Sequence, residues 1–391
     1  MYFPANKVGI KDFCAFYENE DSLKEMGAAQ IRYNGTAMEG ENLKALILCA
    51  GKGTRLRPLT YAMPKHLIPV AGKPILEYAL EKIKRCGIEE VGIVISPETG
   101  GEIVEHCGSR FDYIVQEKPL GIAHAVKVSR DFLKDDPFLL FLGDNLLEEE
   151  FLPGKEEFLK GEAEALIYLK EVEDPRRFGV AILDRDGLVQ KVVEKPKEPP
   201  SNLAIVGLYF FSPQIHEAIE KIQPSQRGEY EITDAIGSLV SSGFKVKGRI
   251  TKGWWLDTGK KEDLLEANRV ILRGERKWEM KGEVDRESSI EDQVEVGEGT
   301  RIIRSQILGP AIIGRNCLVE DSLIEPFTCL GEDCIVINSR IASSIIMKGA
   351  EIKNVSYLKE SIIGRRARIM VSGSKQNFSI HAGDETEVLF W

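Results

Sequence analysis

Four serines, Ser305, Ser322, Ser339 and Ser356, recur every seventeen residues, each two residues before an apolar side chain: Ile307, Ile324, Ile341 and Leu358. Val296-Gly297, Ile313-Gly314, Leu330-Gly331 and Met347-Lys348 keep the same step, and Ile363-Gly364 follows sixteen residues on. Such a fixed period marks stacked units, because one unit cannot bury its own apolar face and must lean on the next. An Ig-like sandwich, the competing all-β arrangement, predicts no exact repeat. The pattern places a solenoid at 284–371, inside a C-terminal region spanning 279–371, and leaves 372–391 as a tail.

The preceding region, 43–278, has a different grammar. Apolar runs alternate with helical patterns, which predicts an α/β domain with a mostly parallel sheet. Strands are expected at Lys44–Ala50, Val91–Ile95, Tyr113–Val115, Phe138–Leu142, Ala165–Leu169 and Ala204–Phe211. Helices are expected at Lys73–Cys86, Ala123–Leu133 and Glu262–Leu272. Residues 1–42 fit neither region. With Met38 just upstream of the first strand, they read either as an over-extended start or as a short appendage.

At 391 residues the chain is too long for one typical domain, and 43% apolar content suffices for sizeable cores. A net charge of −10 argues against a nucleic-acid surface. Five histidines and seven scattered cysteines form no metal-spaced cluster and no Cys-x-x-Cys. Cysteines within apolar runs, such as Cys49, Cys317 and Cys334, suit reduced thiols and hence the cytoplasm. No apolar run approaches the roughly 20 residues needed to span a bilayer. The N-terminus lacks the basic-then-apolar order of a signal peptide.

The first strand runs into Gly51-Lys52-Gly53-Thr54-Arg55-Leu56-Arg57-Pro58-Leu59-Thr60. Glycines at a strand exit let backbone N–H groups approach an anion, and Arg55 adds a fixed cation. The stretch has neither a Walker ending nor a Gly-x-Gly-x-x-Gly spacing, so it points to phosphate outside both of those classes. Met63-Pro64-Lys65-His66-Leu67-Ile68-Pro69-Val70-Ala71-Gly72-Lys73-Pro74-Ile75-Leu76 follows at once. This order closely resembles the sugar nucleotidyltransferases, which join a nucleoside triphosphate to a sugar 1-phosphate. The resemblance continues through Gln116, Gly143-Asp144-Asn145, Glu194-Lys195-Pro196, Gly207-Leu208-Tyr209-Phe210, Gly228-Glu229 to Thr233-Asp234, and Trp255 to Gly259. Within the family the pattern is most similar to members using dTTP and glucose 1-phosphate, in a longer form with a C-terminal extension. The implied fold is a Rossmann-like α/β domain followed by a left-handed β-helix, as in hexapeptide-repeat proteins. The full coil there has eighteen residues, so one side here looks a residue short.

The resemblance implies a role for each matching residue. Asp144 and Asp257 are the candidate Mg²⁺ ligands, on the principle that Mg²⁺ takes one or two carboxylates plus substrate phosphates. Arg55 and Lys65 would hold the triphosphate, with backbone groups from Ala50, Gly51, Gly53 and Thr54. Gln116 would read the pyrimidine edge, with Gly121 against the base. Glu194 would take the sugar hydroxyls and Lys195 the sugar phosphate, with Gly179, Val206 and Tyr209 completing the pocket. Alanine at 50 and histidines at 66 and 124 depart from residues common in the family, and both histidines read as variants rather than bases or metal ligands.

The implied partners are dTTP (or UTP) and a sugar 1-phosphate, N-acetylhexosamine phosphates included, with no nucleic acid and no membrane. A homo-oligomer through the β-helix and catalytic domains is also expected. Some long relatives are bifunctional acyltransferases that commonly use a histidine base. None of His66, His106, His124, His216 and His381 falls within 284–371, which disfavours acyl transfer and favours a scaffold.

Overall fold

A computed structural model describes residues 43–372 and 377–390; the N-terminal segment 1–42 lies outside them. The apolar runs become the strands of a nine-stranded sheet. Lys44–Leu48 lies between Val91–Ile95 and Phe138–Leu142, Val91–Ile95 pairs onward with Asp112–Val115, and all four strands are parallel. Leu203–Phe211 adds to Phe138–Leu142 in the antiparallel sense and carries the sheet on to Gly179–Leu183, Val189–Glu194, Ala165–Glu171 and Val246–Ile250.

Alternate residues of one strand serve two cores. Leu46 faces a cluster with Ala123, Val126, Ile215 and Ile236, while Ala45 and Ile47 face one with Leu76, Ile83, Ile103 and Phe151. Helices on both sides, among them Ile75–Arg85, Ile122–Val128 and Ile232–Ser241, therefore cover a strand that is apolar throughout. The helix expected over Ala123–Leu133 is split in two at Ser129, whose hydroxyl donates to the Ala125 carbonyl at 2.8 Å. Such back-bonding competes with the helical ladder.

From Glu283 onward the strands shorten to two to four residues and form three parallel stacks of seven, six and six, the arrangement of a left-handed β-helix. Coils pair seventeen residues apart, for example Ile307 with Ile324 and Ile324 with Ile341. The serines explain part of the period. Ser305 Oγ accepts from Ser322 N–H (3.0 Å) and Ser322 Oγ from Ser339 N–H (3.1 Å), so each hydroxyl caps the next coil.

Ser356 leaves this ladder. Ser339 Oγ meets Val355 N–H instead, because Leu330 pairs with Ile346, sixteen residues on. The residue lost there is regained at Ser356, since Ile341 pairs with Leu358. The stacks also continue past residue 371: Asn377–Phe378, His381–Ala382 and Glu387–Phe390 form a last coil. Its nineteen-residue step, from Ile362 to His381, hides it from a seventeen-residue pattern. His381 therefore sits in the coil stack.

The described residues form one compact unit, and the solenoid is packed onto the α/β region. Leu56, Leu59, Met63, Ile68, Leu264 and Leu265 share a core with Ile345, Met347 and Ile362. The joining helix, Lys261–Arg273, holds the second contact. Asn268, 1% exposed, accepts from Ala71 N–H (2.8 Å) and donates to the Phe327 carbonyl (2.8 Å). Among the described residues no helix is long and apolar enough to cross a membrane.

Candidate active site

The parallel strands share one carboxyl edge, and the expected site residues follow their ends. Gly51 follows Lys44–Leu48, Gln116 follows Asp112–Val115, and Gly143-Asp144 follow Phe138–Leu142. Leu203–Phe211 overshoots this edge: Leu208 pairs with Phe141, while Ala204, beyond Leu142, pairs with Val180. Gly179 and Glu194, paired with each other, are thereby carried past the sheet edge.

Asp144 sits at the centre. Its carboxylate forms an ion pair with the Lys65 ammonium and accepts from Asn145 Nδ2 (3.0 Å). Thr258 donates both its N–H (3.2 Å) and its hydroxyl (2.6 Å) to the Asp144 carbonyl. Burial opposes ionisation of Asp144, but the Lys65 charge and hydrogen bond, together with smaller contributions from His66 and a backbone N–H, hold the carboxyl down at about 2. Asp257 stands opposite Asn145 on a two-stranded ribbon, Asn145–Leu147 with Trp255–Asp257. Burial and the Asp144 charge push its carboxyl up, with Lys65 and Arg55 pulling the other way.

The Asp144 charge disfavours that of Asp257, and each carboxylate faces one cation: Lys65 on Asp144, and Arg177 at 3.9 Å from Asp257. Among the described residues no cluster of three or more metal-ligating side chains exists. Asp144 and Asp257 could supply the one or two carboxylates that Mg²⁺ takes beside phosphate and water.

The loop after Lys44–Leu48 curls through two single turns, Thr54–Leu56 and Leu59–Tyr61. Gly53, at φ +58°, takes the left-handed conformation that starts the first turn, and its carbonyl accepts from Thr60 Oγ1 (2.7 Å). Leu56 and Leu59 point inward while Arg55 is exposed, lying against Gly259. Ala50 is buried, and Lys65 lies over Gly51. His66 is buried beside Lys65, and its Nδ1 has no partner. Burial, then the Lys65 charge, depress it to about 3, so it is a neutral packing residue at ordinary pH.

Gln116 is 6% exposed, and its amide is fixed. Nε2 donates to the Gly121 carbonyl (3.2 Å) and to His124 Nδ1 (3.0 Å), leaving Oε1 as the unengaged end. Gly121 is at φ +102°, and a Cβ there would lie 2.5 Å from the Tyr230 carbonyl oxygen, so only glycine fits. Tyr230 closes this corner, its N–H donating to the Leu120 carbonyl (2.7 Å) and its ring stacking on His124.

Glu194 gathers three donors: Thr233 Oγ1 (3.2 Å), Lys195 Nζ (3.3 Å) and Arg227 Nη2 (3.4 Å). Tyr209 is buried below, its hydroxyl pushed up by burial and by the Glu194 charge. Val206 is fully buried, so its side chain serves the core. Arg227, Thr233 and Tyr230 lie in or beside the matched 228–234 stretch but carried no assigned role; only the folded contacts give them one. The same holds for Arg177, 3.9 Å from Asp257, with Phe178 packed edge-on to Trp255.

The nucleotidyl transferase family pattern matches residues 44–274. A curated relative, glucose-1-phosphate thymidylyltransferase of Streptomyces griseus, is 45% identical over 84% of this chain and 93% of its own length. The bifunctional protein GlmU of Methanocaldococcus jannaschii is 38% identical over 82% of this chain and 78% of its own length. A solved structure of UDP-glucose pyrophosphorylase complexed with UDP-glucose covers 59% of this chain and 98% of its own, with TM-score 0.55 and 25% identity. The chain belongs to the nucleotidyl transferase family, as an enzyme that transfers a nucleotidyl group to a sugar 1-phosphate.

Proposed function

We propose that the enzyme joins dTTP to glucose 1-phosphate, giving dTDP-glucose and pyrophosphate by one in-line displacement at the α-phosphorus. The observation that carries the mechanism is the convergence of Lys65, Asp144 and Asp257 with no activated nucleophile beside them. The nearby thiol, Cys49, is fully buried and pushed far above its ordinary value by burial, then by Cys107 and Asp144. Similarity to thymidylyltransferases supports the substrate pair.

Asp144 and Asp257 would hold Mg²⁺, which when bound neutralises charge on the phosphate oxygens. Arg55 and Lys65, with loop N–H groups from Ala50 to Thr54, bind the triphosphate and stabilise charge developing on the leaving pyrophosphate. Gln116 Oε1 accepts the imide N–H of the base. Glu194 receives sugar hydroxyls, while Lys195, joined by Arg227, steers the sugar phosphate into line. One methyl separates thymine from uracil, which permits only modest discrimination, so UTP is the expected second nucleotide.

A pyrophosphate-release panel crossing four nucleotides with several sugar 1-phosphates tests the pair. An α-thio nucleotide of known chirality tests the route. Inversion at phosphorus is expected; retention, or a nucleotidylated protein trapped without sugar phosphate, overturns direct displacement.

A second reading adds acyl transfer in the solenoid. The GlmU relative favours it, as does the position of His381 in the last coil, where its Nε2 has no partner. Adding an acyl thioester and an amino-sugar 1-phosphate to the panel tests it. Assembly into a homo-oligomer would use solenoid faces other than the one that Ile345, Met347 and Ile362 turn to the α/β region. Light scattering decides, and a monomer overturns it.

A further inference from the structure

We propose that the terminal solenoid coil is a strut for the phosphate loop, and that Arg365 is a positioning residue for the nucleoside triphosphate. This rests on the phosphate-binding role given above to residues 51–62.

That loop belongs to no β-sheet. Its two single turns are closed by local bonds: Leu56 N–H to the Gly53 carbonyl (2.9 Å), Arg57 N–H to the Thr54 carbonyl (3.4 Å), Tyr61 N–H to the Pro58 carbonyl (3.2 Å), and the Thr60 hydroxyl to the Gly53 carbonyl. A short glycine-bearing segment held this way has little stiffness of its own. Its apolar side is supplied with a partner by the solenoid, where Leu56 and Leu59 pack with Ile345, Met347 and Ile362.

Polar contacts then fix the outer turn. The Arg365 guanidinium donates from Nη2 to the Ala62 carbonyl (2.9 Å), from Nη1 to Glu102 (3.1 Å), and from Nε to Asp384 (2.6 Å). Asp384, nearly buried, also accepts the Arg365 N–H (2.8 Å), so the fork is aimed by its own coil. Beside it the coil backbone meets the loop directly. A Cβ at Gly383 would lie 3.1 Å from the Pro58 carbonyl oxygen.

Arg55 and Lys65 bracket this braced stretch in sequence, so tilting the outer turn moves the cations that meet the phosphates. Arg366, one residue further on, pairs only with Glu385 among the described contacts and does not reach the loop. Two adjacent arginines in one coil thus have separable duties.

The test uses the full chain, with Arg365→Met, Arg365→Lys and the control Arg366→Met. In Arg365→Met the KM for the nucleoside triphosphate should rise about fivefold, the scale of one lost hydrogen bond to a carbonyl. The KM for the sugar phosphate and the melting temperature should match Arg366→Met, and Arg365→Lys should recover part of the loss. Equal changes for both substrates, or none, overturn the proposal.

Amide hydrogen exchange of residues 51–62 in substrate-free protein provides an arm independent of the reaction. Faster exchange in Arg365→Met than in Arg366→Met is expected, and no difference overturns the strut. Should the wild type turn over no pair in the panel, the functional reading fails while the exchange result still decides this proposal.

Discussion

The α/β region and the solenoid treat charge in opposite ways. In the solenoid, charged side chains meet opposite partners one coil away. Arg304 pairs with Asp321 and Glu320, Arg315 with Glu332, and Arg366 with Glu385. The repeat places these partners side by side on adjacent coils. In the α/β region, Asp144 and Asp257 are brought together across a ribbon, Lys65 pairs directly with Asp144, Arg177 approaches Asp257 only to 3.9 Å, and Arg55 is exposed. A site left electrostatically incomplete is one that a charged ligand completes. The lesson is to look for function where folding leaves charge uncancelled, not where charge is dense.

Asp144→Asn should give the largest effect. Removing the central carboxylate should lower kcat by about a hundredfold or more, the scale for lost charge stabilisation at a reacting centre, while the fold persists. Asp257→Asn should behave similarly. Steady-state pyrophosphate release with excess Mg²⁺ checks both, and near-normal turnover would put these carboxylates on the solenoid's side of the comparison.

Next in size is a buried solenoid position. Ile341→Ala, at a side chain with no exposure, should cost about 3 kcal/mol of stability and leave kcat near normal at 25 °C. Denaturant unfolding beside an activity assay checks it. A matching loss of kcat would mean that the two regions are less separable in function than their charges imply.

Third is acid sensitivity centred on the α/β region. His66 is held at about 3 in the fold against an ordinary 6.5, so the unfolded chain takes up a proton that the folded chain refuses. The stability it contributes is full above pH 6.5 and is lost as pH falls towards 3, at about 1.4 kcal/mol per pH unit. Asp144, held near 2, adds a loss of the same sign only below its ordinary value of 3.8. Unfolding free energies from pH 4 to 7 should show a shallower slope for His66→Gln than for the wild type.

The smallest effect belongs to the solenoid surface. Arg304→Met should leave the melting temperature close to that of the wild type, because the arginine and Asp321 are exposed and water replaces the contact readily. A larger shift on calorimetry would show that the coil-to-coil ladder is a network rather than a set of independent pairs.

Much of the fold could be read from the chain because it rests on local pattern. Phe138–Leu142 is apolar at every position, as a strand covered on both faces must be, and Ser305, Ser322 and Ser339 mark coils whose geometry repeats. Where geometry departs from the pattern, the reading fails with it. Ser356 keeps the spacing of seventeen but not the ladder, and the last coil lies behind a longer step. The site divides the same way. Asp144 and Gln116 stand at strand ends, where ligands meet such sheets, and within stretches that the family resemblance picks out. Arg227 and Thr233 reach Glu194 only because Leu203–Phe211 overshoots its neighbour, and Arg365 reaches Ala62 across 303 residues. Contacts of that kind carry no local signal.

Repeat arrays ordinarily tolerate gain or loss of whole units, since each coil touches only its neighbours. Here several points of the array are tied to fixed points elsewhere, among them Phe327 to Asn268 and Arg365 to Ala62. Adding one coil between them would displace the second point by about 4.8 Å, the spacing of adjacent strands, and leave Arg365 out of reach. The stretch from 327 to 365 is therefore a ruler whose length is set by the distance between two features of the α/β region. Coil number should vary freely among related chains only ahead of Ile312, whose side chain packs with Ala71 and Leu272.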